Sequence, residues 1–226
     1  MSAASTTQLV ACAHGTRSVQ GQQVIAALVA DLRRLRPELT VHEAYVDVQE
    51  PAVATVVPER VPSVVVPLLL STGVHVRYDI GAAVADRPSR AADPLGPDPR
   101  LADLLVRRLR EAGADGADHV VLAAAGSSDP AAATAVREVL AALRARWDGP
   151  VEVAFGAAAQ PSVPEAVQTA REAGAARVVV ASYLLAPGHF HSALDRAGAD
   201  LVTAPLGPDP VLAQIALDRF DHALLG

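Results

Sequence analysis

The sequence predicts an α/β fold built as two tandem copies of one unit, each a four-stranded parallel sheet flanked by helices. Three observations carry this expectation. Short apolar runs of strand type alternate with longer segments of helical periodicity along the chain. The apolar runs are near-continuous, as strands covered on both faces require. The hexapeptide PLGPDP occurs twice, at 94–99 and again at 205–210, in a chain of 226 residues.

Taken in order, TQLVACA at 7–13 reads as the first strand. The turn HGTRS follows, and then a helix from about Val19 to Arg36, with Val24, Leu28, Leu32 and Leu35 on one face and Pro37 ending it. LTVHEAYV is the second strand, and Pro51 is placed to open a second helix. VPSVVVPLLL is a buried third strand with proline at its margins. STGVHVRYDI is a loop running into a short helix, and Pro99 of the first PLGPDP opens a helix to about Glu111. The second half repeats the order. HVVLAAA is a strand, GSSDP a turn and AAATAVREVLAALRARW a helix. VEVAFGA is a strand and PSVPEAVQTAREAG a helix ended by Gly174. ARVVVASYLL is a strand, APGHFHSAL a loop into a helix, and the second PLGPDP introduces the last helix.

The halves align in three segments. His14-Gly15-Thr16 falls on Ala125-Gly126-Ser127, VHEAYVDVQEPAV falls on VEVAFGAAAQPSV, and the two PLGPDP turns coincide. Three aligned segments in one order mark a tandem duplication. The expected domains are 1–113 and 117–226, with the boundary between Gly113 and Ala117.

Composition narrows the function. Apolar residues make up 51% of the chain and charged residues 19%, which is the balance of a globular protein. All 19 basic residues are arginine. Schiff-base and phosphate-loop lysine chemistry are therefore excluded. The net charge is −6 and no basic stripe carries interleaved aromatics, so nucleic acid is not an expected partner. The single cysteine, Cys12, rules out a disulfide framework and fits a reducing, cytoplasmic compartment. Leu9-Val10-Ala11-Cys12 mimics a lipoprotein cleavage box but lacks the charged and long apolar regions of a signal peptide. VPSVVVPLLL is too short and too proline-broken to span a bilayer, so no membrane association is expected.

Ligands of open parallel sheets bind beyond the carboxyl ends of the strands. In the first half those positions carry His14 and Arg17 after the first strand, Asp47 and Glu50 after the second, and His75 and Arg77 after the third. In the second half they carry Ala125 and Ser128, then Ala157, then His189 and His191. The second copy has thus lost His14 and Asp47, and the halves are not expected to do the same job. Each residue alone has an ordinary explanation. A histidine after a strand can cap the next helix, Asp47 can be a helix-entry carboxylate, and the arginines can be surface charges. His42, His119 and His222 read as structural or solvated. The argument rests on the set: two imidazoles and a carboxylate on one sheet edge suit cobalt, ferrous iron, nickel or zinc. Without thiolates they do not make a closed structural zinc site.

The HGTR turn, the acidic residue ending strand two before a proline, the segment Gly73-Val74-His75-Val76-Arg77-Tyr78-Asp79-Ile80 and the LGPDP turn together resemble the sirohydrochlorin chelatases. These are small class II chelatases that insert a divalent metal into a modified tetrapyrrole without ATP. The resemblance runs from about Gln8 to Phe220. It implies chelatase-like units, since the long form of that family is itself a tandem duplication and its short relatives pair as homodimers. It implies His14 and His75 as the catalytic histidines, and His14, His75 and Asp47 as metal ligands. Asp47 stands where the family usually has glutamate. Arg17, Arg77, Ser71, Thr72 and Gly73 are implied as substrate-binding positions, with His189 and His191 facing the same cleft or vestigial. The implied partners are a sirohydrochlorin-type tetrapyrrole and a divalent metal as substrate, namely cobalt, iron or nickel. No tightly bound cofactor is expected. A monomer should suffice, with a weak dimer as the alternative.

Other readings make different demands. A histidine phosphatase would have arginine directly before the histidine, where this chain has Ala13. A non-catalytic tetrapyrrole or metal carrier with the same fold would bind without turnover. A purely structural module would bind no divalent metal.

Overall fold

The computed structural model describes residues 7–71 and 73–225, with 74–76 described by backbone alone. The elements in chain order are β1 (Gln8–Ala13), α1 (Val19–Leu35), β2 (Val41–Tyr45), α2 (Val53–Val56), β3 (Ser63–Pro67), α3 (Val74–Val84), β4 (Ser89–Ala91) and α4 (Pro99–Glu111). They are followed by β5 (His119–Ala124), α5 (Pro130–Arg144), β6 (Val151–Phe155), α6 (Val163–Glu172), β7 (Val178–Tyr183), α7 (His189–Leu194), β8 (Leu201–Val202) and α8 (Pro210–Leu225). Two four-stranded sheets form, ordered β2-β1-β3-β4 and β6-β5-β7-β8, and every pairing is parallel. This is the predicted class.

The strands are continuous apolar runs because helices cover both faces. In β1, Leu9 to Cys12 are fully buried, and in β3 so are Val64 to Val66. Cys12 lies in this core, where burial pushes its thiol up to about 12. One face of the first sheet is packed by α2 and α3 through Val53, Val57, Ile80 and Ala83. The other is packed by α1 and α8. The second sheet is packed by α6 and α7 on one face and by α4 and α5 on the other. Among the described residues no helix is long and apolar enough to cross a membrane.

The compact units do not coincide with the sequence repeats 1–113 and 117–226. One unit is Met1–Leu95 with Pro208–Gly226, and the other is Gly96–Gly207. The last helix of each repeat is exchanged: α4 packs in the second unit and α8 in the first. The two crossings fall inside the PLGPDP turns, at Leu95–Gly96 and Gly207–Pro208. The ends of these turns are helix starts. Asp98 is the N-cap of α4 and accepts from the Arg100 N–H, with Pro99 in the first turn. Asp209 accepts from the Val211 N–H at 3.1 Å. The bodies of the turns are held by arginines that reach back within each unit. Arg108 of α4 donates to the Pro205 and Leu206 carbonyls, and Arg219 of α8 donates to those of Pro94 and Leu95.

The second helix departs from expectation. Pro51 does not open it; the Pro51 carbonyl accepts from the Tyr45 N–H, and α2 begins two residues later as a single turn. The helix-entry carboxylate is Glu50, which accepts from the Ala52 N–H at 2.8 Å. Asp47 has no capping role there.

Candidate functional site

In the sheet order β2-β1-β3-β4, the helices that follow β1 and β3 pack on opposite faces, which makes the carboxyl ends of these strands the switch point at which open α/β sheets bind ligands. The first unit brings its sequence-predicted site residues to that edge. His14 directly follows β1, Asp47 lies two residues beyond β2, and α3 starts after β3 with Gly73 as its N-cap. His75 is the second residue of α3; its side chain and Thr72 lie outside the described residues.

Backbone contacts join the first two loops. The Val46 and Asp47 N–H groups donate to the Ala13 and His14 carbonyls, each at 2.9 Å. Gly15 makes this closeness possible. Its φ is +97°, and a Cβ there would stand 1.9 Å from the Asp47 carbonyl oxygen. Only glycine fits such an approach in a left-handed conformation. His14, Arg17 and Asp47 are all exposed at the edge. One Asp47 carboxylate oxygen accepts from the Val48 N–H at 2.7 Å, which fixes the carboxylate beside the loop. Arg77 is exposed on the first turn of α3, and Ser71 and Gly73 are half-buried in the loop before it. Among the described residues no group of three histidine, cysteine or acidic side chains is gathered closely enough to hold a metal ion.

The second unit repeats the backbone without the chemistry. The Gly156 and Ala157 N–H groups donate to Ala124 and Ala125, again at 2.9 Å. Gly126 has φ +90°, and a Cβ there would meet the Ala157 carbonyl oxygen at 1.8 Å. At the third position the structure corrects the sequence alignment. Gly188 caps α7 as Gly73 caps α3, so the position of His75 is held by Phe190, between His189 and His191. All three chemical positions of the first unit are therefore apolar in the second. His191 is half-buried with Nε2 3.1 Å from the Thr203 carbonyl. His189 is exposed and meets the Phe190 ring edge to face at 5.8 Å. His42 and His119 are structural, paired with Gln8 at 2.9 Å and with Glu152 at 3.0 Å across neighbouring strands.

Comparison with known proteins agrees with this architecture. The chain is similar to the sirohydrochlorin ferrochelatase of Priestia megaterium, with 32% identity over 134 residues that cover 55% of this chain and 50% of that protein. It is also similar to the sirohydrochlorin cobaltochelatase of Sulfolobus acidocaldarius, with 27% identity over 108 residues covering 44% of this chain and 86% of that protein. The chain aligns with half or less of the length of the first curated relatives it matches. Among solved structures, SirB from Bacillus subtilis with Fe3+ superposes with a TM-score of 0.81 at 22% identity, covering 96% of this chain and 94% of that one. The CbiX family model matches twice, at residues 8–112 and 119–223, and the chain belongs to that family.

Proposed function

We propose that the protein is a sirohydrochlorin chelatase, inserting cobalt or ferrous iron into a modified tetrapyrrole without ATP. The observation that carries this reading is the pairing of the His14 and Asp47 loops at the carboxyl edge of the first unit's sheet, where the second unit has alanines. The relatives named as ferrochelatase and cobaltochelatase support the reaction class.

The reaction exchanges two pyrrole N–H protons for one dication, so the macrocycle's charge is unchanged. The residues must receive protons, steady the entering metal and hold a flat polycarboxylate. In this reading His14 and His75 offer imidazole nitrogens to the metal or to a departing proton, a task suited to histidine near neutral pH. Asp47 lies on the adjoining loop, where a carboxylate can orient an imidazole or take a proton. Arg17 and Arg77, both exposed beside these positions, supply forked donors for peripheral carboxylates. Ser71, Thr72 and Gly73 are assigned to macrocycle binding in this reading.

The test is an anaerobic visible-absorption assay with sirohydrochlorin and, separately, cobalt, ferrous iron or nickel, beside His14→Ala and no-enzyme controls. A metal-specific spectral change, fast with the wild type and at background with the variant, is expected. Macrocycle binding with every metal entering at the uncatalysed rate would replace the enzyme with a carrier.

A further inference from the structure

The two units act as an internal control on each other. What both keep serves the fold; what only the first keeps is a candidate for the chemistry. Both keep the left-handed glycine, the paired loop hydrogen bonds, and a hydroxyl at the helix entry. Thr16 Oγ1 accepts from the Ser18 N–H at 3.1 Å, and Ser127 Oγ accepts from the Asp129 N–H at 3.0 Å. Both also keep a side chain closing the turn before α2 or α6, where Glu50 accepts from Ala52 and Gln160 from Ser162.

One set of contacts exists only in the first unit. Gln49 Oε1 accepts from the Thr16 N–H at 2.9 Å, joining the loop after β2 to the one after β1. The Gln49 side chain also lies close enough to the Tyr45 phenol to interact with it electrostatically, and that phenol donates to Glu43 Oε1. From the helix side, Gln22 Nε2 donates to the Thr16 carbonyl at 2.9 Å. Both backbone polar groups of Thr16, two residues from His14, are thus held by glutamine side chains. In the second unit the same positions read Val153, Phe155, Ala159 and Ala133. Every polar member is gone, together with His14 and Asp47, while the surrounding backbone is unchanged.

We propose that Gln49, with Tyr45 and Glu43 beside it, is a positioning residue for His14 in the reaction inferred above. The argument is geometric. His14 is exposed on a loop, and an exposed imidazole loses little by moving. The Gln49 amide spans the two loops with one group and fixes the spacing between the segments bearing His14 and Asp47. Tyr45 is nearly buried at 5% exposure. Its phenol donates to Glu43 Oε1 beside the Gln49 side chain. The second unit folds the same loops without this set, so folding does not require it.

The test borrows the second unit's own residues, Gln49→Ala and Tyr45→Phe, in the full chain. Gln49→Ala is expected to lower the insertion rate constant at saturating macrocycle and metal by about tenfold, since small displacements of catalytic groups carry large rate costs. Sirohydrochlorin affinity and melting temperature should hold. Tyr45→Phe should have a smaller effect, and the double variant should be no worse than Gln49→Ala, because the groups act in one chain. Amide hydrogen exchange gives a readout apart from activity. Thr16 should lose protection in Gln49→Ala while the amides of α1 keep theirs. An unchanged rate constant, or an unchanged Thr16 amide, overturns the proposal. If the wild type inserts no metal, the chelatase reading fails by itself, and Thr16 protection together with His14 ring resonances in both variants still decides whether Gln49 positions that loop.

Discussion

Asp47 donates its backbone N–H to the His14 carbonyl at 2.9 Å, and Ala157 makes the same bond to Ala125. The bond is made in the second unit without either side chain, so it belongs to the fold and not to the proposed chemistry. Gly15 and Gly126 permit the approach in each unit. We expect Gly15→Ala and Gly126→Ala each to destabilise the protein by about 2–4 kcal/mol, through the left-handed backbone and the overlap with a carbonyl oxygen. Only Gly15→Ala should abolish metal insertion in the protein that remains folded. Chemical denaturation and the absorption assay on the same samples check both halves of this expectation.

The contrast between units also sets the order of the histidine variants. His14→Ala should lower insertion by on the order of 10²–10⁴-fold, the range for loss of a proton-transfer group. His189→Ala should cost far less, because its neighbour Phe190, and not His189, occupies the position matching His75. Equal losses would assign His189 to the reacting site.

Arg17 is exposed beside His14, and a carboxylate anchor there acts on ground state and transition state alike. Arg17→Ala should weaken sirohydrochlorin binding by about tenfold, consistent with losing one charge-assisted hydrogen bond at a solvated site. The saturated insertion rate should change little. Fluorescence titration of the macrocycle against the variant measures the first quantity, and single-turnover kinetics the second.

Much of the fold was legible because buried parallel strands are continuous apolar runs. Those runs located three strands in each half. The fourth strands, Ser89–Ala91 and Leu201–Val202, are too short to carry any period. The helix exchange was not legible either. The amphipathic pattern of α4 states that it needs an apolar surface, but not which sheet supplies it. The match of Phe190 to His75 was hidden by an insertion. Helix α2 has four residues and α6 has ten, so the offset between the copies grows before β3 and β7. Across that step a constant shift misplaces β3 and α3 against β7 and α7, until the copies fall back into step before the PLGPDP turns. The Gln49 contacts were beyond the sequence, since a glutamine after a strand announces no partner.

Stability should also depend on pH through Asp200. It accepts from the Val178 N–H at 2.8 Å and lies 3.2 Å from Arg171. The Val178 hydrogen bond first, and then Arg171, hold its carboxyl below the ordinary carboxylate value. A carboxyl with a depressed folded-state pKa contributes stability that is present above its unfolded value and is lost as pH falls through the folded one. Asp200→Asn should therefore melt lower than the wild type at pH 7. The two melting curves should converge as the pH is taken below the usual carboxylate range. A gap that stays constant down to the acid limit would show that the ionised carboxylate contributes nothing.

The repeated PLGPDP turn has a structural explanation, since the chain leaves each unit within it and the arginine of the exchanged helix binds its carbonyls. Arg108 holds Pro205 and Leu206, and Arg219 holds Pro94 and Leu95. Both arginines are half-buried. Carbonyls bonded to a charged donor lose about 1.5–3 kcal/mol when the donor is removed. We expect Arg108→Ala and Arg219→Ala to destabilise their own units by similar amounts in that range. Neither arginine is among the residues proposed to act in the reaction, so insertion by the folded fraction should be retained in both. Limited proteolysis at the two turns, read by mass spectrometry, separates the variants. Arg219→Ala should open cleavage near Pro94 and Arg108→Ala near Pro205. Cleavage at both turns in either variant would mean that the units unfold together, and the local assignment of each arginine would be lost.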